Sequence, residues 1–462
     1  MQPLRDPDVL AGYLSDASNL HGHAEALVRP RTTAEVAEVV RHCQAHAIPL
    51  TVTAGRTSTT GGAVPEGGWL LSTELMTEVL ELTPTHAVAQ AGILLGALQD
   101  QLEAAGRLYP PDPTSRHECS LGGSIVCNAS GARTFRYGPS RDWVEEVEAV
   151  LANGEVVVAT RDTPIPSDWP PIRWTEPRVK TAAGYFPCDN LLDLLIGQEG
   201  TLGIVTRAKL RLTDLPESVF SLVGFFPSRD AGLAFVRAAR TDASVSPRLI
   251  EWYDRHTLGL VRAREPGVPA DALAAVWVEQ EATEATEDAL MAGWLDLLEG
   301  TGALVDDTLF AADPGGLERL YRLRHAVPAG VNELVIANGM PKVGTDCSVP
   351  DDALEQMMDA YDAVDLPTIL FGHIGDNHLH LNMLPATPDE LAHAKALYAD
   401  LCRLAVRLGG SVSAEHGIGK LKRAHLAEMV GPEVISAFRA LKAHLDPSWI
   451  LGRGNLLDPP GL

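Results

Sequence analysis

The sequence predicts an α+β protein built from two or three parts. Three observations carry this reading. The chain has 462 residues, too many for one compact core. Its first part mixes strands, helices and small-residue loops up to a compositional shift near Leu215-Pro216. From Phe220 onward strands and helices alternate, the pattern of an antiparallel sheet with helices packed on it.

The elements follow in order. Residues 29–64 read as β-α-β, with Val28-Arg29-Pro30 extended. Thr33 is the expected cap of a helix that places Val36, Ala37, Val39 and Val40 on one face and ends near His46. Leu50–Thr53, Trp69–Ser72 and Ala87–Gly92 read as strands, and Leu94–Ala105 as a helix stopped by Gly106. Asn153-Gly154 is a hairpin signal between two strands within 144–158. A Pro-rich surface loop at 163–178, a helix at Leu191–Ile196 and a strand at Ala208–Leu212 close the first part. The second part offers strands at Phe220–Phe226, Pro247–Tyr253 and Ala274–Glu279 between helices at 229–240 and 283–300. Helices are expected at Glu390–Leu408, Leu421–Met429 and Pro432–Leu445, with a strand at Ser411–Ala414.

Composition excludes several function classes. A net charge of -24 argues against nucleic acid or an anionic membrane as the main partner. The six cysteines form no C-x-x-C pair, which argues against an iron–sulfur cluster or a cysteine-based zinc site. Scattered thiols fit a reducing compartment. The start of the chain shows no basic and apolar leader, and no apolar run approaches the ~18 residues of a membrane span. A cytoplasmic location is the expectation.

The most chemical stretch is Gly372-His373-Ile374-Gly375-Asp376-Asn377-His378-Leu379-His380, inside the alternating run Thr368 to Leu384. It reads as a β-hairpin with Asp376-Asn377 as a two-residue turn, Asn377 tolerating the positive φ required there. That register sets Gly375 opposite His378 and His373 opposite His380, with His378 and Asn382 on the face of His380. Two converging imidazoles are half of a metal site, which Glu415-His416 could complete. Two further runs, Ala54 to Gly62 and Cys119 to Gly131, are rich in Gly, Ser and Thr; small side chains let backbone N–H groups approach a diphosphate.

In order and spacing these motifs, with Gln198-Glu199-Gly200-Thr201-Leu202-Gly203-Ile204-Val205 and Ala414-Glu415-His416-Gly417-Ile418-Gly419, make a chain that resembles the FAD-linked D-2-hydroxyacid dehydrogenases of the vanillyl-alcohol-oxidase superfamily. The resemblance covers roughly residues 25–458. It implies a two-part FAD-binding domain (PCMH type) at 1–214, an inserted antiparallel-sheet cap domain at 215–410, and a C-terminal helical segment at 411–462 packed at their interface. Ala54, Gly55, Arg56, Thr57, Ser58, Gly61 and Gly62 would form the diphosphate loop. Gly122, Gly123, Ser124, Asn128 and Gly131, closed by Tyr137 and Gly138, would form the flavin-ring and ribityl loop. Glu199, Gly203 and Ile204 match the adenine-side segment, and Asn455 would take over a flavin contact that is otherwise lost. The first loop has no His and Cys119 sits where non-covalent relatives also have Cys, so FAD is expected to be non-covalent.

By the same resemblance His373, His380 and Glu415 would hold a divalent metal, Zn²⁺ or Mn²⁺, with His416 as general base. Arg324 would clamp the substrate carboxylate, with Lys342 as second cation and Asn382 as a further substrate contact. The implied reaction is oxidation of a small D-2-hydroxy acid (lactate-, glycolate- or 2-hydroxyglutarate-like) to the 2-oxo acid, with a quinone, a cytochrome or an electron-transfer flavoprotein as electron acceptor. Four departures matter. His378 replaces an Asn, as an extra ligand or a substrate contact. Pro328 stands where 2-hydroxyglutarate dehydrogenases tend to carry Thr. Lys342 is displaced by two residues, and Gly452-Arg453-Gly454-Asn455 replaces Asn-Pro-Gly-Lys. A non-catalytic flavin-binding partner subunit and an oxygen-using oxidase of another alcohol stay open as alternatives, as does a homodimer; an NADPH-using reductase is disfavoured by the metal motif.

Overall fold

The computed structural model describes residues 2–265 and 267–459; the last three residues of the segment expected at 411–462, and Met1 of the one expected at 1–214, lie outside them. Near the N-terminus Ala26–Val28, Trp69–Ser72 and Leu50–Thr53 form a parallel three-stranded sheet with Trp69–Ser72 in the middle. The helix Thr33–Ala45 buries Val36, Ala37, Val39, Val40 and Cys43. Its cap is Thr32 rather than Thr33, because the Thr32 hydroxyl accepts the Glu35 N–H. A second, antiparallel sheet runs in the order Val79–Leu82, His86–Gln90, Gly203–Arg211, Val144–Leu151, Val156–Thr160. Gly154 closes its last hairpin at φ +79°, as the Asn-Gly pair predicts.

The largest sheet has seven antiparallel strands: Leu309–Ala311, Ser218–Phe226, Ala274–Ala282, Pro247–Asp254, Thr368–His373, His378–Met383 and Val343–Gly344. One face packs Phe226, Trp252 and Val276 against the helices Arg229–Thr241 and Glu287–Gly300. The other packs Tyr253, Trp277 and Phe371 against Arg255–Arg262 and the long helix Pro314–Asn338. The histidine hairpin therefore lies towards one edge of a sheet whose centre is fixed by two cores. The last segment returns to the N-terminal part: Leu451 bridges to Leu50, and Ile450 joins the core under the parallel sheet.

Two expectations are corrected here. The hairpin turn spans four residues, a 3₁₀ turn Ile374–Asp376 followed by Asn377 at φ +51°. His373 consequently faces His378, and His380 faces Phe371. Arg240 holds the wider turn by donating to the Ile374 carbonyl and the Asn377 side chain. Ser411–Ala414 is no strand beyond a single bridge from Ser411 to Ser348. The Ser411 hydroxyl bonds the carbonyl and the N–H of Ser413, and such local side-chain bonds compete with strand pairing.

Candidate active site

The four-residue turn leaves parity intact. His373, His378 and His380 all point from one face of the hairpin, because side chains repeat every two residues. Their ring centroids lie 4.5–5.6 Å apart. Glu415 enters from the C-terminal segment between them. Its Oε2 is 3.4 Å from His373 Nε2 and 3.9 Å from His378 Nδ1, and its Oε1 is 3.4 Å from His380 Nε2. The candidate ligand atoms of these four residues fall within 4.8 Å of one another. The sequence placed His373, His380 and Glu415 together, and the structure brings them together.

Each imidazole is fixed from outside. Glu251, on the neighbouring strand, takes His373 Nδ1. The Thr345 carbonyl lies 3.3 Å from His380 Nδ1, and Asp346 Oδ1 lies 2.9 Å from His378 Nε2. This is the arrangement that fixes tautomer and orientation in metal-binding histidines. The donor set, buried imidazoles with one carboxylate, fits a divalent cation. Burial works against charge on His373, but the carboxylates of Glu251 and Glu415 hold it up at about 9. Burial pushes His378 down to about 3. Glu415 stays well below the usual carboxylate range, because Lys180 and His373 outweigh its burial.

His416 stacks on His380 with centroids 5.3 Å apart. Its Nδ1 is 3.5 Å from Asp346 Oδ2, while burial pushes its pKa down to about 4 against the pull of Asp346 and Glu415. Asp346 ties the segment together: it accepts the Glu415 and His416 backbone N–H groups and the Lys422 ammonium, the last at 2.6 Å. Arg324 comes from the long helix, over Trp277, with Nε 3.4 Å from Glu251 Oε2. It thus sits one carboxylate away from His373. Lys342 and Asn382 pair with each other at 2.7 Å, farther along the strand that carries His378 and His380.

The flavin-side candidates meet the same segment. The backbone N–H groups of Arg56, Thr57, Ser58 and Thr59 have no hydrogen-bond partner among the described residues, which suits an anion cradle. A β-carbon on Gly55 would lie 1.9 Å from the Glu118 carbonyl oxygen, so this loop and the second run touch backbone to backbone. Thr60 donates to the His416 carbonyl at 3.3 Å. Gly122, Gly123 and Ser124 fall in a short helix, Leu121–Val126, and Asn128 follows at φ +47°. Glu199, at φ +53°, accepts the Ile418 and Gly419 N–H groups at 2.7 Å each; burial raises it to about 7. Asn455 donates to the carbonyls of Gly62 and Glu199. Gly131 borders the histidine–glutamate cluster through Lys180, which donates to its carbonyl. Ala54 and Gly61 belong to the first loop, and Gly203 and Ile204 open the strand Gly203–Arg211. Tyr137 and Gly138 end the next helical turn, with the Tyr137 hydroxyl bonded to Glu281 on the strand Ala274–Ala282.

Sequence reasoning missed Lys180, Glu251 and the orienting role of Asp346. Lys180 is buried, with its ammonium 3.0 Å from Glu415 Oε2, 3.6 Å from Asp376 and 3.2 Å from the Gly131 carbonyl. The chain uses thirty Arg but only seven Lys, and Lys180, Lys422 and Lys442 are all buried against carboxylates. Glu251 carried no distinguishing signal, since the strand Pro247–Asp254 also holds the charged Arg248 and Asp254.

Comparison with known proteins agrees with this architecture. Residues 24–160 match the family described as FAD binding domain, and residues 215–456 match FAD linked oxidases, C-terminal domain. The glycolate oxidase subunit GlcD of Bacillus subtilis is 30% identical over 450 residues, 94% of this chain and 88% of that protein. A D-2-hydroxyglutarate dehydrogenase of Xanthomonas citri is 32% identical over 453 residues, 94% and 89% of the two chains. A D-lactate dehydrogenase of Anaerostipes hadrus is 30% identical over 465 residues, 96% and 92%. An alkyldihydroxyacetonephosphate synthase structure shares the fold at TM-score 0.72 and 17% identity, over 98% of this chain and 82% of that one. Matched along both parts and aligned with these relatives over nearly its whole length, the chain belongs to the FAD-linked oxidases, a family of flavin-dependent oxidoreductases.

Proposed function

We propose that this FAD-linked oxidoreductase oxidises a small D-2-hydroxy acid to the 2-oxo acid with the help of a divalent metal. The observation that carries the reading is the convergence of His373, His378, His380 and Glu415, joined through Lys180 to the flavin loop at Gly131. The relatives named for glycolate, lactate and 2-hydroxyglutarate point to the same substrate class. All three acids carry a hydroxyl beside a carboxylate, a pair of oxygens that one cation can hold.

His373, His380 and Glu415 would hold the metal, and the loops at 54–62 and 122–131 would hold FAD non-covalently. Cys119 supports the latter, because burial pushes its thiol up to about 11, far from the thiolate form. When bound, FAD supplies the acceptor for the α-hydrogen and its electron pair, and the metal supplies Lewis acidity at the substrate oxygens. The chain's own groups do the rest. His416, held at Nδ1 by Asp346, is kept neutral and takes the hydroxyl proton at Nε2. Arg324 offers its terminal nitrogens to the carboxylate, since Glu251 engages Nε. Lys342 and Asn382 offer a second polar pair.

In this reading residues 1–214 form the FAD domain, 215–410 the cap and 411–462 the segment that carries Glu415 and His416 to their interface. A quinone, a cytochrome or an electron-transfer flavoprotein would reoxidise the flavin. Among the described residues no helix is long and apolar enough to cross a membrane.

The test is anaerobic bleaching of the flavin band near ~450 nm with D- and L-2-hydroxy acids, with and without chelator. Chelator-sensitive bleaching by one D-acid is expected. No bleaching by any acid in metal-loaded protein would overturn the proposal in favour of a non-catalytic partner subunit or an oxidase of another alcohol. FAD is expected in the supernatant after acid precipitation; a yellow pellet would mean a covalent flavin.

A further inference from the structure

We infer that His378 is a third imidazole ligand, so that this chain's metal centre is three histidines and one glutamate; the inference rests on the metal reading above. Three observations carry it. His378 is fully buried and faces His373 directly across the hairpin. Its Nε2 lies 2.9 Å from Asp346 Oδ1, outside the cluster, and its Nδ1 lies 3.9 Å from Glu415 Oε2; neither nitrogen makes a hydrogen bond within the described residues. Its nitrogen belongs to the same set of converging atoms as those of His373, His380 and Glu415.

The pattern repeats around the cluster. His373 and His380 each give one nitrogen to an outside acceptor and turn the other to Glu415. His378 turns Nδ1 towards Glu415 at 3.9 Å and Nε2 towards Asp346 at 2.9 Å, without a hydrogen bond through either. A buried ring nitrogen without a partner is uncommon in folded proteins, and a cation at the centre of the cluster would provide one. A buried histidine of purely structural use would be expected to bond at least one ring nitrogen, whereas His378 leaves both unbonded and aims Nδ1 at Glu415.

The consequence is a preference among metals. Three imidazoles and one carboxylate suit Zn²⁺ or Fe²⁺, whereas Mn²⁺ and Mg²⁺ favour oxygen donors. Four protein ligands also complete a tetrahedron, so a substrate oxygen would have to enter as a fifth ligand.

The experiment uses the FAD-loaded holoenzyme, stripped of metal and titrated with Zn²⁺ and with Mn²⁺ against a chromophoric chelator. His378→Asn and His378→Ala are compared with the unmodified chain, with FAD content and circular dichroism recorded for each. Loss of a direct ligand is expected to weaken Zn²⁺ binding by at least about 10²-fold, the upper end of what an outer partner contributes, while Mn²⁺ binding changes far less. Zinc-edge X-ray absorption of the unmodified holoenzyme counts imidazoles without any variant. Three support the inference; two overturn it, as would Zn²⁺ affinity retained in His378→Asn. If the unmodified holoenzyme binds no divalent metal at all, the metal reading itself falls, and this inference with it.

Discussion

The histidine–glutamate cluster and the candidate flavin-side loops are built from opposite materials. In the cluster, side chains do the work, and every imidazole is fixed by a second residue: Glu251, Asp346 or the Thr345 carbonyl. In the loop at 54–62 the backbone is what is on offer, with free N–H groups and, Arg56 apart, side chains that stay small. The difference predicts how each region fails. A side-chain site is lost by removing one functional group. A backbone site tolerates most side-chain changes and is lost by adding an atom where two chain segments touch.

The largest effect is expected from Glu415→Ala. Both carboxylate oxygens face imidazoles, so the cluster would lose its only acidic ligand. Metal content should fall to background, and flavin reduction should slow by about 10³-fold or more, the equivalent of several kcal/mol of charge stabilisation. FAD should remain stoichiometric, because Glu415 has no described contact with the diphosphate loop. Metal analysis and anaerobic stopped-flow check both halves. Loss of FAD along with metal would erase the distinction between the two regions.

Glu251→Gln probes the outer ring of the same cluster. Glutamine can still accept from His373 Nδ1 but brings no charge. Burial opposes ionisation of Glu251, yet Arg324 and His373 hold it down at about 2; the substitution therefore removes a true anion. Metal affinity should fall by roughly 10–100-fold, measured by chelator competition. An unchanged affinity would show that the outer residues only fill space.

On the flavin side, Gly55→Ala adds a β-carbon that would meet the Glu118 carbonyl oxygen at 1.9 Å. Backbone must move, at a cost of about 1–3 kcal/mol, or about 10–100-fold in FAD affinity. Thr59→Ala, at an exposed position of the same loop, should change FAD affinity less than about threefold. Fluorescence titration of FAD separates them; equal effects would mean that this loop, too, depends on its side chains.

The two regions also differed in how much of them the sequence revealed. The cluster was legible because a hairpin preserves side-chain parity: a two-residue and a four-residue turn leave His373, His378 and His380 on one face, although the paired partner of His373 changes. The turn length was not legible, since Arg240 sets it from a helix 134 positions away. Glu251 and Lys180 were invisible for the same reason, their partners lying 122 and 235 positions off. The helix Pro314–Asn338, which carries Arg324, was missed as an element because Gly315, Gly316 and Pro328 break its local signal. Tertiary packing overrides that propensity: Leu320, Leu323, Val327 and Val331 are buried along one face.

The last prediction concerns the point where the two regions meet. Glu199 accepts N–H groups from Ile418 and Gly419, just beyond Glu415 and His416. Burial nevertheless raises its pKa from 4.5 to about 7. Between those values the folded chain keeps a proton that the unfolded chain releases. Stability contributed by this group is therefore full below about pH 4.5, declines as pH rises, and is lost above about pH 7. The lowered values of His378 and His416 act with the opposite sign at more acidic pH, so a single pH curve would mix the two. The difference between the wild-type chain and Glu199→Gln isolates the carboxyl. Thermal unfolding of both proteins from pH 5 to pH 8 should show the wild type losing stability relative to the variant up to about pH 7 and running parallel above it. Parallel curves throughout would mean that the two N–H donors keep Glu199 ionised across this range. The joint between the regions would then be a charged contact rather than a neutral one.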